Sequence, residues 1–316
     1  MKKAFKFLLA MCCVFTLAVS FYACDFLPKP SGTPVEITLQ YNDGVTTATI
    51  DAVSGQPLST PDAPTRENHI FLGWFSDENC TTPYDFSKTV NKPFTLYAGW
   101  VLDSVKLINQ VSMDAMKGVV KIENRCTTSV FGEGSASLGS GFIFQIASNK
   151  YYILTNCHVV EKASGTIRQT LTVYDYQNNE FTGTLVASST VHDLACLYFS
   201  ATAEETNANA LSFGSAPKLN DYVIALGAPQ SQTNCITIGK VTKESVRVDI
   251  DGTEYSNVLR HDAYTNHGSS GGPLLDVNLK VVGVTFAGDD EAQTEDKSFA
   301  LPLSYVNDFL QTYVYN

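Results

Sequence analysis

The chain has 316 residues, 44% hydrophobic and 17% charged, which excludes a disordered polymer and leaves apolar surface for more than one packed domain. Its 21 basic and 32 acidic residues give a formal charge of -11, which argues against a nucleic-acid partner.

Lys2, Lys3 and Lys6 precede an uncharged apolar run from Phe7 to Cys24, and polar, Pro-containing chain follows. This is the layout of a secretory signal over residues 1 to 23; the run is also long enough to span a bilayer, so an uncleaved signal anchor is the alternative. Ala23-Cys24 resembles the lipobox of bacterial lipoproteins, in which the cysteine is lipidated, although Phe21 and Tyr22 depart from the residues usual there. That resemblance implies an extracytoplasmic protein anchored to a lipid bilayer through Cys24. Without residues 1 to 23 the chain keeps 18 basic and 32 acidic residues, a formal charge of -14. Residues 24 to 33 mix Pro, Gly and Ser without apolar periodicity and read as a tether.

Residues 34 to 101 alternate in short stretches such as VEITLQY and TTATIDA, with turn residues between them. Phe71, Trp74, Phe75, Tyr84, Phe86, Tyr97 and Trp100 are enough to fill one compact core. F-x-G-W, a spaced Y-x-F and L-Y-A-x-W resemble the Listeria–Bacteroides repeat, which implies a small β-grasp-like module of a bacterial surface protein, open to a surface ligand. No residue in it points to chemistry.

Residues 102 to 118 carry a helical pattern, with apolar residues at Val105, Ile108, Val111 and Met116, and a linker helix is predicted over 102 to 114. From 115 to 316, β-type segments recur nearly to the end: GVVKIEN, SGFIFQIA, YYILTN, DLACLYF, DYVIALG, KVVGVTFAG and SFALPL among them. This predicts an antiparallel barrel or sandwich closed by a short helix around Tyr305 to Tyr313. Outside the signal and Cys24, Cys80, Cys126, Cys157, Cys196 and Cys235 are an odd set with no CxxC pair. That is neither a disulfide framework nor a zinc site, so most are expected to be small buried hydrophobes, with one disulfide left open.

Three segments carry the candidate chemistry. YYILTNCHVV delivers His158 at a strand end before a helical turn, Asp193 opens the strand of DLACLYF, and TNHGSSGGPLL holds Ser270 among Gly268, Gly271 and Gly272. A serine hydroxyl is a poor nucleophile near neutral pH; it needs an imidazole to take its proton and a carboxylate to hold that imidazole in the right tautomer. The glycines let the backbone approach closely, which assigns the oxyanion-binding N–H groups to Gly268 and Ser270. No metal or cofactor is called for.

Gly268 to Gly272 also satisfies G-x-S-x-G, the nucleophile elbow of α/β-hydrolases. There the histidine follows the serine and a helix follows the elbow. Here His69, His158, His192, His261 and His267 all precede Ser270, and Pro273-Leu274-Leu275 breaks a helix, so that reading fails.

The order His, Asp, Ser is that of chymotrypsin-like barrels. I-L-T-N-C-H-V-V, D-L-A-C-L, A-L-G-A-P at 225 to 229, T-N-H-G-S-S-G-G-P-L and F-A-L-P resemble, in order, the protease domain of the HtrA (DegP-like) branch of the trypsin-like family. The resemblance implies a mainly β fold of two six-stranded barrels with the triad in the cleft between them, and serine endopeptidase activity on protein or peptide substrates. Cys157 stands where the family more often has Asn or Ala, and Ser269 where it often has Asn. Only 46 residues follow Ser270, too few for the PDZ domain of that branch, so PDZ-based regulation does not carry over. Tyr264, six residues before Ser270, takes the place at the base of the S1 pocket, where the absence of an acid argues against a basic P1 residue. The resemblance implies small or aliphatic P1 residues instead, and His267 is a candidate to line the substrate cleft. His192 and His261 read as loop residues, Asp262 as structural, and Gly139 and Gly141 as turn glycines. The rival class is a surface binding protein whose barrel no longer cleaves; such relatives usually lack a triad member, and none is missing here.

Overall fold

A computed structural model describes residues 32–129, 134–227, 235–250, 252–288 and 298–315. The expected signal, Cys24, most of the tether and the Ala228-Pro229 of the ALGAP motif lie outside the described residues. Strand dominates, and the chain divides into two compact units.

In the first unit, strands Thr47–Val53, Pro34–Gln40, Phe94–Leu102 and His69–Phe75 form one sheet in that order. Pro34–Gln40 runs antiparallel to Thr47–Val53 and parallel to Phe94–Leu102, setting Ile37 opposite Phe94 and Leu39 opposite Leu96. Ile37, Leu96 and Ala98 are fully buried under Trp74. Phe71 meets Trp74 edge-on at 5.5 Å and Trp100 at 5.4 Å. Phe71, Trp74, Tyr84, Phe86 and Trp100 therefore build the core, while Phe75 and Tyr97 lie outside the cluster.

The second unit holds two closed six-stranded barrels. The first runs in the order Arg168–Tyr174, Glu180–Ser189, Leu194–Ser200, Lys150–Thr155, Ser135–Ala147 and Val119–Thr127, and closes by antiparallel pairing of its end strands. Ile122, Ile143, Ile153, Val173 and Leu197 fill it, and Phe199 stacks on Tyr151 at 4.8 Å and Phe181 at 4.5 Å. The second barrel runs Tyr222–Gly227, Cys235–Ile250, Thr253–His261, Ser298–Pro302, Val281–Gly288 and Pro273–Leu275, and closes through Ile224 opposite Leu275. Closure removes the unpaired edges that an open sheet of this length would expose. The strand Leu194–Ser200 is buried at five of its seven positions, on both of its faces.

Two local expectations are corrected. Helix Ser104–Met113, capped by Asp103 accepting from Lys106 N at 3.0 Å, buries Leu107 and Val111, while Val105 stays 72% and Ile108 42% exposed. A 3-10 turn over Ala115–Gly118 then brings Ala115 and Met116 into the same apolar cluster as Phe142 and Leu154 of the first barrel and Leu275 of the second. The helix is thus part of the core of this unit; its buried stripe follows the i, i+4 spacing of Leu107 and Val111. Gly139 and Gly141 sit inside strand Ser135–Ala147, not in a turn. A Cβ at Gly139 would come within 2.6 Å of Val159, so the bare backbone there lets the helical turn Cys157–Val160 pack against the strand.

All five described cysteines are free, with Cys126, Cys157 and Cys196 buried. The chain ends in helix Leu303–Phe309, continued by a π-helical turn over Leu310–Val314.

Candidate active site

Strand Lys150–Thr155 is followed by Asn156, the N-cap of the helical turn Cys157–Val160 that carries His158. Asp193 lies just before strand Leu194–Ser200, which pairs with Lys150–Thr155 and so brings the two residues together. Asp193 Oδ1 accepts from the backbone N–H of His158 at 3.0 Å, and Oδ2 lies 2.8 Å from His158 Nδ1. The carboxylate side chain is 8% exposed and the imidazole 47%. A carboxylate at Nδ1 keeps the proton on that nitrogen, leaving Nε2 as the acceptor on the exposed side of the ring. Asn156, fully buried, donates its side-chain N–H to Asp193 O at 2.9 Å.

Ser270 follows a tight turn. Ser269 N donates to Asn266 O at 2.8 Å, and Gly268, the third residue of the turn, has φ +92°. That positive φ marks a type II turn, in which the His267–Gly268 peptide is turned over relative to type I. Among the described residues, the N–H groups of Gly268 and Ser270 donate to no protein acceptor, so both remain available to an incoming oxyanion.

The serine loop is fastened to the first barrel. Ser140 N donates to Ser270 O at 2.8 Å, Ser140 Oγ donates to Gly268 O at 2.6 Å, and Thr155 Oγ1 donates to Ser140 O at 2.6 Å. Gly271 N donates to Thr285 O at 2.7 Å, tying the same loop to the second barrel. Ser140 and Thr155, both fully buried, were not singled out from the sequence. The one signal they offered was a serine between two glycines and a threonine two residues before Cys157.

A cleft of about 500 Å³ contains His158, Asp193 and Ser270. His267, Tyr255 and Phe286 are also in its walls. Tyr264 is not: it is 58% exposed, while its neighbour Ala263 is buried and Thr265 and Asn266 line the cleft instead. The chain alternates as it leaves the barrel strand, which turns Tyr264 outward. Cys157, also in the wall, has its thiol pushed up to about 11, first by burial and then by the charge of Asp193.

His261 is not a loop residue. It ends strand Thr253–His261 and is fully buried, with neither ring nitrogen in a well-formed hydrogen bond. Burial pulls it down to about 4, partly offset by the Ala263 backbone and the Asp262 charge. Asp262 is structural as expected, accepting from Lys240 N. His192 lies in the turn before Asp193, with Nε2 2.7 Å from Asp308 Oδ2.

Residues 139–284 match the trypsin-like peptidase domain family and residues 36–99 the Listeria-Bacteroides repeat domain. The serine protease Do-like HtrA of Bacillus subtilis (strain 168) is 34% identical over 217 residues, covering 63% of this chain and 46% of that protein. A probable periplasmic serine protease do/HhoA-like of Haemophilus influenzae is 29% identical, covering 55% of this chain and 36% of that protein. The chain therefore spans less than half the length of these relatives. The crystal structure of the serine endoprotease from Yersinia pestis superposes with a TM-score of 0.51 at 27% identity, covering 66% of this chain and 67% of that one. The chain thus carries a trypsin-like peptidase domain of HtrA/DegP kinship behind an N-terminal Listeria-Bacteroides repeat.

Proposed function

We propose that this protein is a serine endopeptidase acting through an acyl-enzyme on Ser270. The observation that carries the reading is the double contact of Asp193 with the backbone and ring of His158, in the same cleft as Ser270. Asp193 orients the imidazole, and His158 Nε2 takes the proton of Ser270 Oγ as it attacks the scissile carbonyl. The oxyanion that forms is met by the N–H groups of Gly268 and Ser270; losing one such donor costs about 3 kcal/mol of barrier. His158 then protonates the leaving amine, and a water activated by the same nitrogen releases the acyl group. A fluorophosphonate probe is expected to label the wild type and spare Ser270→Ala; equal labelling of both would sink the assignment.

The substrates are protein or peptide segments laid along the cleft beside His267. The P1 residue is small or aliphatic, a reading supported by the resemblance to the HtrA branch and by the lack of an acid in the stretch from Thr265 to Ser269 beside the cleft. A cleavage profile on denatured protein dominated by Arg or Lys at P1 would overturn it. The protein acts outside the cytoplasm, tethered to the membrane through a lipidated Cys24, as the basic-then-apolar N-terminus and a relative described as periplasmic support. Fatty-acid labelling lost in Cys24→Ala is the expected result, and labelling retained would exclude it. The N-terminal repeat is a surface module for an external ligand, supported by Ile70 and Leu72, 51% and 58% exposed on strand His69–Phe75. Loss of cell-surface ligand binding on deleting residues 34 to 101 is expected; unchanged binding would exclude that role.

A further inference from the structure

The proposed mechanism depends on the pose of Asp193, and that pose is not self-supporting. Its φ is +47°, a left-handed conformation that an aspartate keeps only where its surroundings impose it. The residue closes a short connection, Thr190 to Asp193, between strands Glu180–Ser189 and Leu194–Ser200, whose ends pair Ser189 with Leu194. Backbone support inside the connection is thin: Asp193 N reaches Thr190 O at 3.4 Å. Asn156 holds the carbonyl side of Asp193.

His192 holds the other side. Its Nδ1 is 2.9 Å from Ser189 Oγ and its Nε2 is 2.7 Å from Asp308 Oδ2. A carboxylate at Nε2 requires N–H there, so Nδ1 of the neutral ring accepts from the Ser189 hydroxyl; a single tautomer satisfies both contacts. The ring is wedged among Tyr305, Phe309 and Tyr313, with centroids at 5.9, 6.4 and 6.1 Å, and the side chain is 13% exposed. Asp308 and the three rings belong to helix Leu303–Phe309 and the turn Leu310–Val314 that continues it. The end of the chain is therefore docked on the residue immediately before Asp193.

We propose that His192, braced by Asp308, is a positioning residue: it pins the turn Thr190 to Asp193 to the C-terminal helix and so keeps the Asp193 carboxylate aimed at His158. The inference rests on the assignment of Ser270, His158 and Asp193 as the reacting group.

Steady-state kinetics on a peptide substrate, with proton NMR of the downfield resonance from the His158 Nδ1–H in its bond to Asp193, tests it in the full chain. His192→Ala is expected to lower kcat about 10- to 100-fold with KM unchanged, the usual result of a small misplacement of a catalytic group, and to shift or erase the resonance. Asp308→Ala should do the same to a smaller degree. It should add nothing when combined with His192→Ala, and His192→Gln, whose amide can still donate to Asp308, should recover part of the loss. Asp308 is 67% exposed, so this variant folds and keeps the test decisive if His192→Ala does not. An unchanged kcat and resonance in Asp308→Ala and in folded His192→Ala would overturn the proposal. Failure of the wild type to label at Ser270 would instead overturn the assignment beneath it.

Discussion

Replacing Gly271 with alanine would set a Cβ 2.2 Å from Ser140 O, 2.2 Å from Thr155 Oγ1 and 3.0 Å from Asn156 N, at a residue whose φ is +85°. Two costs follow. The left-handed backbone costs alanine about 1 to 2 kcal/mol. The overlap costs about 1 to 3 kcal/mol, as overpacking usually does. Relief is blocked because the two atoms struck are bonded to each other, Thr155 Oγ1 donating to Ser140 O at 2.6 Å; moving either one breaks a buried hydrogen bond, about 1 kcal/mol more. The sum, about 3 to 6 kcal/mol, is a large share of a typical folding free energy of about 5 to 15 kcal/mol.

Gly165 supplies the control, with φ +75° and nothing within 4 Å of the added Cβ, so Gly165→Ala carries the backbone cost alone. At about 2 to 4 °C per kcal/mol for a unit of this size, Gly271→Ala should lower Tm by about 6 to 24 °C and Gly165→Ala by about 2 to 8 °C. Scanning calorimetry of the two variants reads the difference directly. Equal destabilisation would mean that the serine loop does not approach the first barrel this closely. It would also remove the ground for treating the Ser140–Thr155 clamp as part of the site.

Asp193→Asn should leave Tm nearly unchanged but lower kcat by about 10⁴-fold, because an amide N–H facing Nδ1 forces the proton to Nε2; retention of about a tenth of the wild-type rate would contradict the role given to Asp193. His261 predicts acid lability. Its folded value of about 4 lies below the unfolded 6.5, so from pH 6.5 downward the unfolded chain binds a proton that the native state refuses. Stability is then full above pH 6.5 and falls as pH drops toward 4, by about 3 kcal/mol in all at about 1.4 kcal/mol per unit. Denaturant melts from pH 7 to 4 should show this slope and lose it in His261→Leu; an equal slope in both would place the acid sensitivity elsewhere.

Much of the candidate site is legible in the sequence. The alternation of strand segments, the order of His158, Asp193 and Ser270 and the glycines around the serine are local properties of the chain; they pointed to an antiparallel barrel or sandwich and to the rejection of the α/β-hydrolase elbow, and the resemblance to HtrA-type proteases implied two barrels. What stayed hidden shares one physical trait: it depends on residues far apart in sequence meeting in a packed interior. Ser140 reaches Gly268 across 128 positions and His192 reaches Asp308 across 116, and no local pattern encodes either contact. The same limit explains Tyr264. Its spacing from Ser270 gave it a place at the base of a pocket, but side-chain direction is set by how the strand leaves the barrel, and it faces solvent. Helix Ser104–Met113 shows it again, since several apolar side chains could have faced inward and only the two barrels it packs against selected Leu107 and Val111. Which chemical groups are present, and in what order, follows from the chain of amino acids; which groups meet follows from packing, because burial and hydrogen bonding are settled by the surfaces that close around each residue.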